Sequence, residues 1–142
     1  MPSFLVRLLD SSWFGYLARA ALTFIFWSSG IAKLVDFQAA QGEMAQFGLN
    51  PPAAFALATA ATQLVGSLLI ILNRWTWLGC GMLATFTALT IPVAHRFWEM
   101  QEPLRTLEFY FVMEHLTVIG ALAVMAILSR RLGGAGNGPV AL

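Results

Sequence analysis

Four apolar stretches, each about twenty residues long and nearly free of charge, constrain this chain more than any other feature. At a rise of 1.5 Å per residue, about 20 apolar residues cross a hydrocarbon layer ~30 Å thick, and a helix satisfies its own backbone there. The stretches cover residues 14–35, 52–72, 75–96 and 108–129. They predict an all-α integral membrane protein, a four-helix bundle forming a single membrane domain over residues 1–142. Composition agrees, since 58% of the 142 residues are hydrophobic and 11% are charged, against roughly a quarter charged in soluble domains. A formal net charge of +1 leaves no basic field for nucleic acid. One cysteine, Cys80, makes no intramolecular disulfide, CxxC pair or zinc site. Disulfide-exchanging four-helix enzymes are thereby excluded, and no metal site is expected.

The joints are informative. Arg7 and Asp10 stand among Phe4, Leu5, Leu8 and Leu9, a short amphipathic segment suited to the membrane interface, and the first apolar run starts too late for a cleaved signal peptide. Between the first two spans, Phe37, Ala40, Met44 and Phe47 recur at helical spacing with Gln38, Gln41, Glu43 and Gln46 between them. This pattern predicts an amphipathic helix over residues 37–47 on the outer membrane surface. Asp36 is placed to cap its start, Gly48 to end it in the left-handed conformation, and Asn50-Pro51 to open the second span. The short Asn73-Arg74 turn makes spans two and three antiparallel neighbours, Pro92 kinks the third, and Pro103 precedes a long fourth helix. Ala54, Ala58, Thr62 and Gly66 form a stripe of small residues for close helix packing. Trp75, Trp77, Trp98 and Tyr110 fall at the interfaces, and residues 132–142 read as a flexible tail. Arg7, Arg19, Arg74, Arg130 and Arg131 lie on one side against Lys33, Arg96 and Arg105 on the other, which favours both termini in the cytoplasm.

Polar groups below the interface carry the chemistry, because each charge at a span centre costs about 2.5–3.5 kcal/mol on insertion scales. Glu114 lies roughly 7–8 Å from the midplane by helical rise, with His115 at nearly the same depth. Lys33 points back into the membrane from the end of the first span, so that it and Glu114 are expected to converge. Asp36, Gln63, His95 and Arg96 complete an outer polar pocket, while Arg19 snorkels to the inner interface. The alternative to a pocket is that the Lys33–Glu114 pair is only a structural bond that fixes helix register, and that His95 and Arg96 only anchor at the headgroups. Estimated depths of ~14 Å for His95 and ~6 Å for His115 argue against a haem between them. Cys80, between Gly79 and Gly81, reads as small packing material.

Ser29-Gly30-Ile31-Ala32-Lys33-Leu34 closes the first span, and Phe37 and Gly48-Leu49-Asn50-Pro51-Pro52 precede the second. Gln63-Leu64-Val65-Gly66, His95-Arg96-Phe97-Trp98 and the apolar run after His115 up to Gly120 follow. Together, over residues 16–128, these resemble the DoxX family. The resemblance implies a multi-pass protein of the bacterial inner membrane, from the group that includes the small membrane subunit of thiosulfate:quinone oxidoreductase. Other relatives are implicated in redox and oxidative-stress complexes. Two positions depart from the pattern: Gln63 stands where the family's acidic residue is expected, and Glu114-His115 where a Lys-Asn-like pair is usual.

Three functions fit this sequence. The first is a membrane subunit or anchor of a redox complex whose outer pocket takes a quinone headgroup, flanked by Phe26, Trp27, Phe109 and Phe111. It would be an enzyme only as a subunit of a quinone-linked oxidoreductase, with electrons supplied by a redox partner protein and no covalently held cofactor. The second is a non-catalytic scaffold that recruits a soluble partner through the outer helix and loop, with Lys33 and Glu114 only holding the bundle together. The third is a small proton-coupled transporter working as a homo-oligomer, with Glu114 as the proton site. In all three the lipid bilayer is the common partner.

Overall fold

The computed structural model describes residues 1–134, all helix and connecting turns with no sheet among them. The order is α1 (Ser3–Leu9), α2 (Ser12–Leu22), α3 (Phe24–Val35), α4 (Phe37–Gln46), α5 (Pro52–Ile71) and α6 (Thr76–Ala94). A single 3-10 turn at Phe97–Glu99 then leads into α7 (Leu104–Gly134). Helices α5, α6 and α7 are each long and apolar enough to cross a membrane. Helices α2 and α3 qualify together as one span bent by 63°, so the chain carries three to four candidate spans.

That bend corrects the continuous first span expected over residues 14–35. It lies at the fully buried Thr23, whose hydroxyl donates to the carbonyl of Arg19 at 2.9 Å. A threonine bonded back into the preceding turn competes with the helix and bends it. The Trp27 indole N–H donates across the break to the carbonyl of Ala20 at 3.0 Å, and Phe24 packs edge-on against Trp27. Arg19 Nε donates to the carbonyl of Ile71 at 3.1 Å, tying α2 to the C-terminal end of α5, where a cation is favourable.

The punctuation follows turn chemistry. Helix α4 ends with Gly48 at φ 73°, and the N–H groups of Gly48 and Leu49 donate to the carbonyls of Ala45 and Met44. Helix α5 ends in the same way with Asn73 at φ 53°, the Asn73 and Arg74 N–H groups donating to Ile70 and Leu69. The start of α5 differs from expectation. Pro52 is its first helical residue and Pro51 precedes it without a side-chain cap, while the Asn50 amide donates to the carbonyl of Gly48. Helix α7 begins at Leu104, earlier than expected, and remains helical to Gly134. The rest of the expected tail, residues 135–142, lies outside the described residues.

Helix α5 is the hub, packed against α2, α3, α4 and α6, and α7 covers α6. The core joins Phe26 of α3, Ile70 of α5, Cys80 and Leu83 of α6 and Leu122 of α7. A second cluster, Ala40 and Met44 with Ala56, seats α4 on α5. The small-residue stripe needs correction: Ala54 and Ala58 are exposed, Thr62 is half-buried, and only Gly66 is fully enclosed. A strict interval of four drifts about 40° around a helix per step, whereas alternating steps of three and four hold one face. The buried residues Ala56, Ala60, Gln63, Ser67 and Ile70 follow that alternation.

Gly66 and Gly79 mark the closest approach of α5 and α6. A Cβ at Gly79 would lie 2.6 Å from the Gly66 carbonyl oxygen, a backbone atom that cannot step aside. Gly79→Ala is expected to destabilise the bundle by about 1–3 kcal/mol through overpacking. Thermal unfolding in mild detergent should show this as a lowered Tm, with Gly81→Ala, whose Cβ would meet open space, close to wild type.

Candidate functional site

Helix α6 stops two residues after Pro92, and His95 leaves helical geometry at φ −117°, ψ 50° while its N–H still donates to Ile91. Residues 95–103 turn the chain, and α7 returns along α6 as the most extensive helix pair in the protein. On α7, Glu108 and His115 are seven residues apart and therefore share a face, with Phe111 one turn before His115. That face meets the end of α6, where the His95 ring sits among all three side chains.

His95 Nδ1 lies 2.6 Å from Glu108 Oε2, with both side chains about four-fifths buried (21% and 18% exposed). The His95 ring meets the His115 ring edge to face at 4.6 Å between centroids, and the Phe111 ring at 5.7 Å. His115 Nδ1 is 2.7 Å from the Phe111 carbonyl oxygen, which only accepts, so the proton of the neutral ring sits on Nδ1. An ionised Glu108 fixes the same tautomer on His95. Neither Nε2 has a hydrogen-bond partner among the described residues. The result is a carboxylate and two imidazoles in line, presenting two ring nitrogens able to exchange protons. A separate groove of about 320 Å³ is lined by Phe97, Glu102, Arg105, Thr106 and Phe109.

The two histidines thus meet directly, which corrects the unequal depths expected from helical rise. The α6 helix ends before His95, so the regular rise stops short of it. Rings in contact leave no space between them for a haem iron.

The remaining expected pocket residues are dispersed. Lys33 does not reach Glu114. Its ammonium instead pairs with Glu43 of α4 at 2.6 Å, because the turn at Asp36 folds α4 back beside the end of α3. Asp36 caps α4, accepting from the Ala39 N–H at 2.9 Å. Gln63, 5% exposed, donates from Nε2 to Ser29 Oγ at 3.3 Å between α5 and α3, and its Oε1 and Ser67 Oγ have no partner among the described residues. Arg96 forms an exposed pair with Glu99 at 3.3 Å. Glu114 lies on the outer surface of α7 beside Tyr110, Met113, Thr117 and Val118. Of the expected aromatic neighbours, Phe111 borders His95 and Phe109 meets Phe97 edge to face, whereas Phe26 is in the core and the Trp27 indole donates to Ala20.

The family model for DoxX matches residues 15–96, more than half of the chain. The chain belongs to the DoxX family. Searches of curated proteins and of solved structures gave no match. The matched segment of this DoxX protein runs from α2 to His95 and Arg96, and ends before α7, which brings Glu108 and His115 to the cluster. The sequence reading missed Glu108 and Glu43 as partners. The seven-residue spacing from Glu108 to His115 was the available signal for the first. No local spacing pairs Glu43 with Lys33, since that contact depends on the angle of the turn between two helices.

The exchange of partners is measurable. A double-mutant cycle on Lys33→Met and Glu43→Gln should give a coupling of about 0.5–1 kcal/mol in unfolding free energy, whereas Lys33→Met with Glu114→Leu should be additive.

Proposed function

We propose that this DoxX protein is the membrane subunit of a quinone-linked redox complex in the bacterial inner membrane, with both termini in the cytoplasm. In this reading a quinone headgroup docks at the Glu108–His95–His115 cluster. The observation that supports it most directly is the pair of unbonded Nε2 atoms beside a buried carboxylate. Interconversion of a quinone and its quinol takes two electrons and two protons. A redox partner protein exchanges the electrons, and this chain handles protons. A bare Nε2 accepts a proton from a quinol hydroxyl, and the imidazolium returns one to a quinone carbonyl in the reverse direction. Glu108 stabilises the charged ring of His95 while this happens. Phe111 beside His95, and the edge-to-face pair of Phe97 and Phe109, offer apolar surfaces for the ring and its tail.

Decylubiquinone titrated into the protein in lipid nanodiscs, followed by quenching of tryptophan fluorescence, tests the reading. Loss of one hydrogen bond to the headgroup in His115→Ala should raise Kd on the order of tenfold, and Glu108→Gln by a similar factor, while Lys33→Met leaves it unchanged. Equal binding by all four proteins, or none by wild type, overturns it. Retained capture of a soluble partner by both cluster variants then supports the scaffold alternative.

A further inference from the structure

Glu114 is the polar group the candidate site does not use. It lies about 6 Å along the helix from the midpoint of the apolar stretch Leu104–Leu132, well inside a hydrocarbon half-layer of about 15 Å. It is exposed, and it has no hydrogen bond or ion pair among the described residues. Helix α7 is also the least covered span: 11% of its most apolar window is buried, against 33% for α5. Among the exposed residues of α7, Tyr110, Met113, Glu114, Thr117, Gly120 and Val124 share one face, opposite the Glu108–Phe111–His115 face that meets α6.

We infer that this face of α7 is the interface with a second copy of the chain. Two features select that occupant over a bare lipid surface. The first is complementary chemistry carried on the face itself. The carboxyl oxygens of Glu114 are acceptors, and the Tyr110 phenol one turn before it is a donor unbonded among the described residues, whereas the Thr117 hydroxyl already donates to the Met113 carbonyl at 3.1 Å. Two copies inserted in the same orientation present α7 to α7 in parallel. A two-fold axis between them then offers each Glu114 the partner's Tyr110 hydroxyl, twice over, as an isologous interface requires. The second feature is Gly120. A Cβ there would meet nothing within 4 Å, so its lack of a side chain serves no contact inside one chain. Between two helices it allows the close backbone approach that short hydroxyl-to-carboxyl bonds need. The inference does not depend on quinone binding, because the cluster lies on the opposite face of α7.

Single-molecule photobleaching of labelled full-length protein, diluted stepwise in liposomes, reads the monomer–dimer equilibrium. Wild type should dimerise, Glu114→Leu should weaken association on the order of tenfold, and Gly120→Leu at least as much, while Glu114→Gln, which keeps an acceptor, stays near wild type. Gly120→Leu adds its side chain in open space, so unchanged thermal unfolding of the diluted monomer separates lost association from misfolding. A wild type that stays monomeric at all dilutions, or dimers indifferent to both leucine substitutions, overturns the inference. So does a monomer that instead co-purifies with a different membrane protein in a Glu114-dependent manner.

Discussion

The contact between Gly66 and Gly79 is the constraint on which the rest depends. The carbonyl of one glycine occupies the space where a side chain of the other would stand, which sets the spacing of α5 and α6. With α6 fixed, Leu83 and Cys80 meet Ile70, and Phe26 and Leu122 close on them from α3 and α7. Seating α7 on α6 then determines which of its faces turns inward. Glu108, Phe111 and His115 are carried to the end of α6, and His95, released from helical geometry there, completes the cluster. A backbone approach near one end of the α5–α6 pair thus positions the two imidazoles and their carboxylate near the other end.

Polar groups in a membrane are kept where something satisfies them, and the partners here sort the groups by role. Lys33 and Asp36 both serve to hold α4, the first through Glu43 and the second through the Ala39 N–H. Arg19 closes the end of α5. The His95–Glu108–His115 group differs because its bonds consume one nitrogen of each ring and leave the other presented. Glu114 differs again, since it has no partner among the described residues.

Three spans and the apolar length of the bent first one, the short antiparallel turn, helix α4, its Asp36 cap and its Gly48 terminus were legible in the sequence, because hydropathy, helical period and left-handed caps are local signals. The bend at Thr23 was not, since it results from a hydroxyl and an indole settling on neighbouring carbonyls rather than from a proline. The packing face of α5 was misread because a four-residue interval drifts around the helix. In the candidate site, position along a span gives only the depth of each polar residue. Depth cannot say which way a side chain faces around its helix. For that reason Glu114 was drawn inward to Lys33, and His95 was kept apart from His115.

In the proposed function two imidazoles, oriented by Glu108 and by the Phe111 carbonyl, present bare Nε2 atoms to a quinone headgroup. Nitrogen-15 NMR of histidine-labelled protein in nanodiscs reads that directly. The account predicts both His95 and His115 as the Nδ1-protonated tautomer, with both Nε2 signals moving when decylubiquinone is added. Nε2-protonated rings, or Nε2 signals that ignore the quinone while the protein remains folded, would contradict it.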